Sequence, residues 1–170
     1  MTLEELEKTV IRYMDSFTTM SLACSYGDEP WAAAVYYARQ GLDLFFFSSP
    51  KSRHSEVFSR NSRASATIHG DYTGWKEIKG LQMEGRVEPI KGAIALTRAT
   101  AAYLRRYPFV KEFFSSPESI STEIAAKVAR VALYVFKPDY ILYINNEEGF
   151  GKRWKLSIKE GQAFGEPVLV

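Results

Sequence analysis

The chain has 170 residues, 46% of them hydrophobic, and its 22 Lys and Arg against 20 Asp and Glu leave a net charge of +2. This balance of charges gives no support to nucleic-acid binding, and no apolar run reaches the roughly 18 residues that span a membrane. We therefore expect that the protein binds neither a nucleic acid nor a membrane. One cysteine, Cys24, and two histidines, His54 and His69, exclude an intramolecular disulfide and a zinc site with several thiolates. We therefore predict no metal site and a cytoplasmic protein.

The first 90 residues predict one helix and a series of strands. Thr2 and Glu5 suit a capping box, and the apolar spacing that follows predicts a helix from residue 2 to about 14. Stretches rich in β-forming residues, separated by Gly, Asn and Pro turns, predict strands over 17–25, 31–39, 42–48, 63–70 and 78–89. A short helix over 55–60 with Val57 and Phe58 inward interrupts this series.

The second half predicts a helical insert and then further strands. An apolar stripe that includes Ala99 and Tyr103 predicts a helix over 92–107, and shorter helices are predicted over 109–114 and 119–126. A buried strand over 131–144, bent at Lys137-Pro138-Asp139, precedes a last strand over 153–158. We expect a single domain over 1–170, mainly β with helical insertions, the insert covering about 91–127, and closed as a barrel or sandwich.

The end of the predicted strand 42–48 carries the most suggestive polar residues. The apolar run stops at Ser48-Ser49-Pro50 and is followed by Lys51, Ser52, Arg53 and His54 at the start of the short helix. Cations disfavour a helix N-terminus unless an anion such as a phosphate lies there with them. The alternative is an ordinary strand–turn–helix junction with solvated charges.

The neighbouring strand is unusually small in its side chains. Alanine has poor β propensity, so the run from Ala32 to Ala34 leaves space either for a ligand or for close packing against large aromatic residues. No nucleophile–base pair, paired carboxylates or Gly-rich phosphate loop is recognisable. A phosphate-capable turn without a catalytic set suits a bound organic cofactor that carries the chemistry itself. A nucleic-acid patch at Arg105, Arg106 and Lys111 is another hypothesis.

The segment from Phe45 to His54 resembles the polar strand end and Ser-Arg-Lys turn of the pyridoxamine 5′-phosphate oxidase-like superfamily of FMN-binding split β-barrels. Four motifs in order are similar to those of a short bacterial branch of unassigned function. They are Ser52-Arg53-His54, the Gly-x-Gln-x-x-Gly strand at 80–85, Arg105-Arg106-Tyr107-Pro108, and Gly149-Phe150-Gly151-Lys152. The resemblance implies a six-stranded antiparallel Greek-key split β-barrel. It also implies a homodimer with the FMN site at the subunit interface.

The resemblance also assigns a cofactor role to individual residues. Arg53 and Lys51 would bind the FMN phosphate, Ser48 and Ser52 would donate hydrogen bonds to it, and His54 replaces the usual second cation. Phe47 would contact the flavin, and Gln82 would reach its ring or ribityl chain. Four residues would run along the isoalloxazine ring, with their backbone at its polar edge: Ala32, Ala33, Ala34 and Val35. The second subunit would complete the site, with Lys152 and Trp154 as candidates.

Two hallmarks of true pyridoxamine-phosphate oxidases are missing, the C-terminal Arg-Leu-x-Pro segment and the Arg-x-His substrate pair. We therefore do not expect that oxidase activity. The expected function is an FMN-dependent oxidoreductase that acts on an unidentified small molecule. The alternatives are a non-enzymatic flavin-binding or sensing module and a binder of the deazaflavin F420 or of haem.

Overall fold

The computed structural model describes residues 1–109 and 131–170, and these form one antiparallel sheet with three α-helices. The helices are α1 (Leu3–Ser16), α2 (Arg53–Phe58) and α3 (Ala93–Arg106), with a 3₁₀ turn at Trp75–Glu77. The strands are β1 (Thr19–Tyr26), β2 (Glu29–Tyr36), β3 (Ala38–Gln40), β4 (Asp43–Ser48), β5 (Arg63–His69), β6 (Lys79–Pro89), β7 (Ala132–Asn145), β8 (Arg153–Lys159) and β9 (Gln162–Leu169).

The sheet curls into a barrel because of how β2 and β3 are joined. The strand order is β2-β1-β5-β6-β7-β4-β3, with β8 and β9 added beyond the second half of β7. β2 and β3 stand at opposite ends of this order, yet only Tyr37 separates them along the chain. The two ends of the sheet must therefore meet. The predicted mainly antiparallel β fold with helices is confirmed.

The described residues contain nine strands, against seven predicted from the sequence pattern and six implied by the family resemblance. The predicted strand 31–39 breaks at Tyr37, whose buried side chain donates from its hydroxyl to the Met14 carbonyl at 2.5 Å. β9 lies in a stretch for which no strand was predicted, since Gly165 and Pro167 interrupt its pattern. Glu160 and Gly161 both have positive φ, 54° and 76°, which matches the two-residue hairpin turn that folds β9 back onto β8.

The barrel core is built from alternating strand residues and closed by helices. α1 buries Leu6, Val10 and Met14, and its predicted capping box forms through hydrogen bonds of 2.8 and 3.2 Å between Thr2 and Glu5. β4 is apolar on both faces, since Leu44 and Phe46 point into the core while Phe45 and Phe47 pack toward α3. This explains why its sequence is a continuous apolar run rather than an alternating one.

The predicted helix over 92–107 is confirmed as α3, and its Ala99 and Tyr103 are buried as the stripe required. The predicted helices over 109–114 and 119–126 lie, apart from Phe109, outside the described residues. No helix in residues 1–109 or 131–170 is long and apolar enough to cross a membrane.

A close approach between β6 and β7 makes one glycine sensitive to substitution. The register shifts between Glu84 and Gly85, opposite Pro138, and a Cβ built at Gly85 would collide with the Lys137 carbonyl oxygen. We expect Gly85→Ala to lower the free energy of unfolding by about 2 kcal/mol, because backbone must move to admit the methyl group. Urea unfolding measures this. Gly74→Ala, where a Cβ meets only the Glu77 side chain at 3.9 Å, is the control. Equal stability of the two variants would contradict the prediction.

Candidate functional site

The turn after β4 gathers hydroxyl groups around one histidine. Ser48 Oγ lies 2.6 Å from His54 Nε2 and 3.0 Å from Ser52 Oγ, and Ser52 Oγ lies 3.1 Å from the same ring nitrogen. Ser52 also caps α2 by accepting the Ser55 N–H at 3.4 Å. Ser48 has the parity of the core-facing Leu44 and Phe46, so the cluster lies at the end of the barrel interior. Three predicted site residues thus come together in one hydrogen-bonded group.

The partly buried position of His54 disfavours its charged form. Burial lowers the pKa of His54, because desolvation disfavours the imidazolium. The unfolded chain then binds a proton more readily than the folded chain. The stability that the neutral ring contributes is therefore complete above about pH 6.5 and is lost as the pH falls from there toward the lowered folded-state pKa.

We expect the wild type to lose more stability than His54→Gln between about pH 7.5 and about pH 5, since glutamine can hydrogen-bond Ser48 without titrating. Urea unfolding at both pH values gives the comparison. His69→Gln, which removes the exposed histidine of β5, is the matched control substitution. A His54→Gln variant with the same pH dependence as the wild type would refute this role of burial.

Arg53, the first residue of α2, reaches away from this cluster toward β2. Its guanidinium lies 4.5 Å from the centre of the Trp31 ring and 3.3 Å from Glu29 Oε2, and its side chain is 49% exposed. The ring and the carboxylate hold the guanidinium in one orientation at the surface. Lys51 is exposed, and its side chain has no hydrogen bond or ion pair within the described part of the chain.

A cavity of about 570 Å³ lies between α2 and the β1–β2 turn. Its lining carries two arginines, Arg53 and Arg60, each stacked on an exposed aromatic ring of the hairpin, Trp31 and Tyr26. Three carboxylates also line it: Asp28, Glu29 and Glu56. The cavity is thus bordered by charges of both signs.

Two of the three alanines of β2, Ala32 and Ala34, lie on the opposite face of the strand from Trp31. Trp31, Ala33 and Val35 pair with the buried residues of β1 and face the barrel interior, whereas Ala32 and Ala34 face outward and are exposed. β2 pairs only with β1, so its other edge has no strand partner among the described residues. A ligand that touches both Arg53 and the alanines must therefore lie along this edge.

Gln82 lies farther away than its position in the sequence motif suggested. It shares an outward-facing row with Ala34, Ser21 and Thr67, but β1 and β5 separate its strand from β2. Three strand spacings put it about 14 Å from Ala34. Its Oε1 accepts a hydrogen bond from Arg153 Nε at 3.2 Å.

The other predicted contacts lie against their own chain. The Phe47 ring meets Tyr103 of α3 edge-on at 4.9 Å, on the face of β4 opposite to Ser48. Trp154 packs against the barrel core, and the Lys152 side chain lies over Gly149.

Sequence reasoning missed Glu29 and Trp31 as partners of Arg53. The period-2 rule would have placed both on one face of β2, had the turn been assigned to the two residues Gly27-Asp28.

Arg106, one of the three cations of the hypothetical nucleic-acid patch, is used within the fold. Arg106 donates hydrogen bonds to the carbonyl oxygens of Met14, Asp15 and Phe17 and pairs with the Asp15 carboxylate, so its charge is used within the fold. Arg105 is exposed, and Lys111 lies outside the described residues. In residues 1–109 and 131–170, no group of three or more His, Cys, Asp or Glu could hold a metal ion.

No protein-family profile matches the chain. Its sequence is similar to a UPF0306 protein of Photorhabdus laumondii, with 29% identity over 99 residues that cover 57% of this chain and 68% of that protein. A UPF0306 protein of Klebsiella pneumoniae is 22% identical over 156 residues, covering 89% of this chain and 95% of that protein. These relatives agree with the short bacterial branch that the four motifs predicted.

Solved structures share the fold at low sequence identity. A haem-binding protein of Mycobacterium smegmatis superposes with a TM-score of 0.65 at 18% identity, over 85% of this chain but only 55% of that one. A candidate pyridoxamine 5′-phosphate oxidase of Listeria innocua gives 0.62 at 17% identity, over 82% and 98% of the two chains. A FAD-binding protein of Mesorhizobium loti gives 0.61 at 17% identity, over 79% and 90%. In fold the chain is a split β-barrel of the pyridoxamine 5′-phosphate oxidase-like type, and in sequence it resembles the UPF0306 proteins.

Proposed function

We propose that the protein is an FMN-binding flavoprotein of the cytoplasm that acts as an oxidoreductase on a small molecule. One observation carries the proposal. Arg53 stacks on the Trp31 ring of β2, a strand whose second edge has no partner in the described residues, and it lines the 570 Å³ cavity. Ser52 of the hydroxyl cluster directly precedes it in the chain. The cation and the hydroxyl donors suit the phosphate of FMN, and the unpaired strand edge suits its ring.

The phosphate would be bound by Arg53. Its guanidinium has five N–H donors in a planar fork, and charge-assisted hydrogen bonds of this kind are the strongest that a surface residue can make to a phosphate. Lys51 adds a second cation nearby in the chain, and the hydroxyls of Ser48 and Ser52 are additional donors. His54 orients these hydroxyls through the contacts of its Nε2 with Ser48 and Ser52.

The isoalloxazine ring would lie along the edge of β2. The pyrimidine side of the ring alternates carbonyl and N–H groups, as an unpaired strand edge does, so backbone groups from Ala32 to Val35 can pair with it. The outward side chains of Ala32 and Ala34 are small enough to let the ring approach. FMN bound there would supply hydride or electron transfer. The chain would hold the ring in place and shield it from water.

A second copy of the chain would complete the site. Ala32, Ala34 and their row neighbours Ala23 and Ser21 form an outward face of small side chains, which allows close approach of another subunit. Gln82 lies on the same side of the sheet, about three strand spacings from Ala34, and the Arg153 side chain is hydrogen-bonded to it. Both would contribute to the flavin site.

Haem is a second candidate, favoured by the geometry of His69. This exposed histidine of β5 has its Nδ1 3.0 Å from the Gly70 carbonyl, which leaves Nε2 as the available ligand atom. A backbone carbonyl on Nδ1 is the common way to orient a metal-binding imidazole.

The absorption spectrum of the protein as purified distinguishes the two candidates. We expect flavin bands, with FMN as the chromophore released on denaturation. A Soret band that is lost in His69→Ala would replace the flavin proposal with haem. A colourless protein that FMN neither binds nor stabilises against heat would overturn both.

A further inference from the structure

Arg53 already has an anionic partner within the chain. Its Nη2 lies 3.3 Å from Glu29 Oε2, at the mouth of the cavity that both residues line. A phosphate bound to this guanidinium has to displace the carboxylate or share the cation with it. We propose that Glu29 is an internal competitor that sets the affinity for the anionic end of the ligand, an inference that rests on the proposed function.

The backbone of Glu29 and that of Arg53 belong to elements that are connected by hydrogen bonds. Glu29 is the first residue of β2 and pairs with Tyr26 across a two-residue turn, where Gly27 takes a φ of 59°. On the other side, Asn61 Nδ2 donates to the Ser25 carbonyl at 2.9 Å and ties the end of α2 to β1. Both partners thus stand on elements whose separation is fixed.

The competition is specific to one carboxylate of the cavity. Asp28 and Glu56 also line it, but within the described residues neither lies within ion-pair distance of Arg53. Trp31 lies under the guanidinium two residues beyond Glu29 on the same face of the strand, so the cation stays in place when the carboxylate leaves. Glu29 therefore changes the charge that the phosphate meets and not the position of Arg53.

Exposure limits the size of the effect. The Glu29 side chain is 80% exposed, and ion pairs of this kind are weak. Its charge also repels a phosphate dianion at short range. Together these lower the affinity for FMN by about threefold to tenfold, and a flavin without phosphate is not affected.

The test compares the Kd values of FMN and riboflavin, measured by fluorescence quenching. Glu29→Gln keeps the size of the side chain and removes its charge. We expect it to tighten FMN by about threefold to tenfold and to leave riboflavin unchanged. Glu56→Gln removes a carboxylate from the same cavity without touching Arg53 and should have a clearly smaller effect. In an Arg53→Ala background, Glu29→Gln should tighten FMN clearly less, because only the direct repulsion between Glu29 and the phosphate is then removed.

Three results would overturn the competition. These are an unchanged FMN Kd in Glu29→Gln, an equal gain for riboflavin, and an equal gain in the Arg53→Ala background. Each leaves the proposed function standing if Arg53→Ala by itself still weakens FMN. If Arg53→Ala leaves FMN binding unchanged, the phosphate site itself is wrong, and the two failures are thereby distinguished.

Discussion

Replacing Arg53 by alanine is expected to raise the Kd for FMN by about 10- to 100-fold while leaving the Kd for riboflavin nearly unchanged. The guanidinium is the one charged group in the described chain that is stacked on Trp31, and hydrogen bonds to a charged group contribute about 1.5–3 kcal/mol. Because riboflavin lacks the phosphate, the comparison separates loss of the anion contact from damage to the ring site. Equilibrium titration of both flavins gives the two Kd values.

Arg60 offers a matched control. It lines the same cavity and stacks on an aromatic ring, with its guanidinium 5.2 Å from the centre of Tyr26. It lies beyond the end of α2, away from Ser48 and Ser52. Arg60→Ala should therefore change the FMN Kd far less than Arg53→Ala does. Equal losses from the two variants would mean that general positive charge, and not a site at Arg53, attracts the phosphate.

Replacing Arg106 by leucine is expected to lower the free energy of unfolding by about 3 kcal/mol. The last carbonyl groups of a helix have no partner within it, and Arg106 donates to those of Met14 and Asp15, both at 3.3 Å, and to Phe17 just beyond. The same guanidinium pairs with the Asp15 carboxylate at 3.3 Å and lies 5.4 Å from the centre of the Tyr37 ring. The side chain is only 19% exposed, so leucine would leave these acceptors poorly hydrated.

Arg105→Leu is the control for this prediction. Arg105 is exposed on the same turn of α3, and within the described residues its side chain makes no hydrogen bond or ion pair. Its loss should change stability by less than about 0.5 kcal/mol. Urea unfolding with unchanged m-values gives both numbers. If Arg106→Leu were as stable as Arg105→Leu, the joint between α1 and α3 would not depend on this side chain.

Local patterns predicted the elements of this fold well. The Thr2–Glu5 capping box, the apolar spacing of α1 and the strand end at Ser48 are each written in a few neighbouring residues. The break at Tyr37 was not predicted, because the hydroxyl contact with Met14 that fixes it comes from another element. β9 was not predicted, for a different reason. Gly165 and Pro167 weaken the alternation of apolar and polar residues in its sequence, and its pairing with β8 depends on the turn at Glu160-Gly161.

In the candidate site too, contacts between sequence neighbours were predictable, whereas contacts between distant residues were not. Ser48, Ser52 and His54 are close in sequence and meet in the structure, as a strand–turn–helix reading implies. The contact of Arg53 with Glu29 and Trp31 joins residues 22 or more positions apart, so it required the docking of α2 on the β1–β2 hairpin. Arg106 shows the opposite case. Arg105 and Arg106 suggested a basic patch in the sequence, but in the fold Arg106 donates to carbonyl groups at the end of α1.

A crystal structure of the protein soaked with FMN tests the central claim most directly. The phosphate is expected within hydrogen-bond distance of the Arg53 guanidinium, with Glu29 displaced from it. The ring is expected along the edge of β2, against the backbone from Ala32 to Val35. A phosphate bound away from Arg53, or a ring that leaves this edge uncovered, would contradict the assignment of the site.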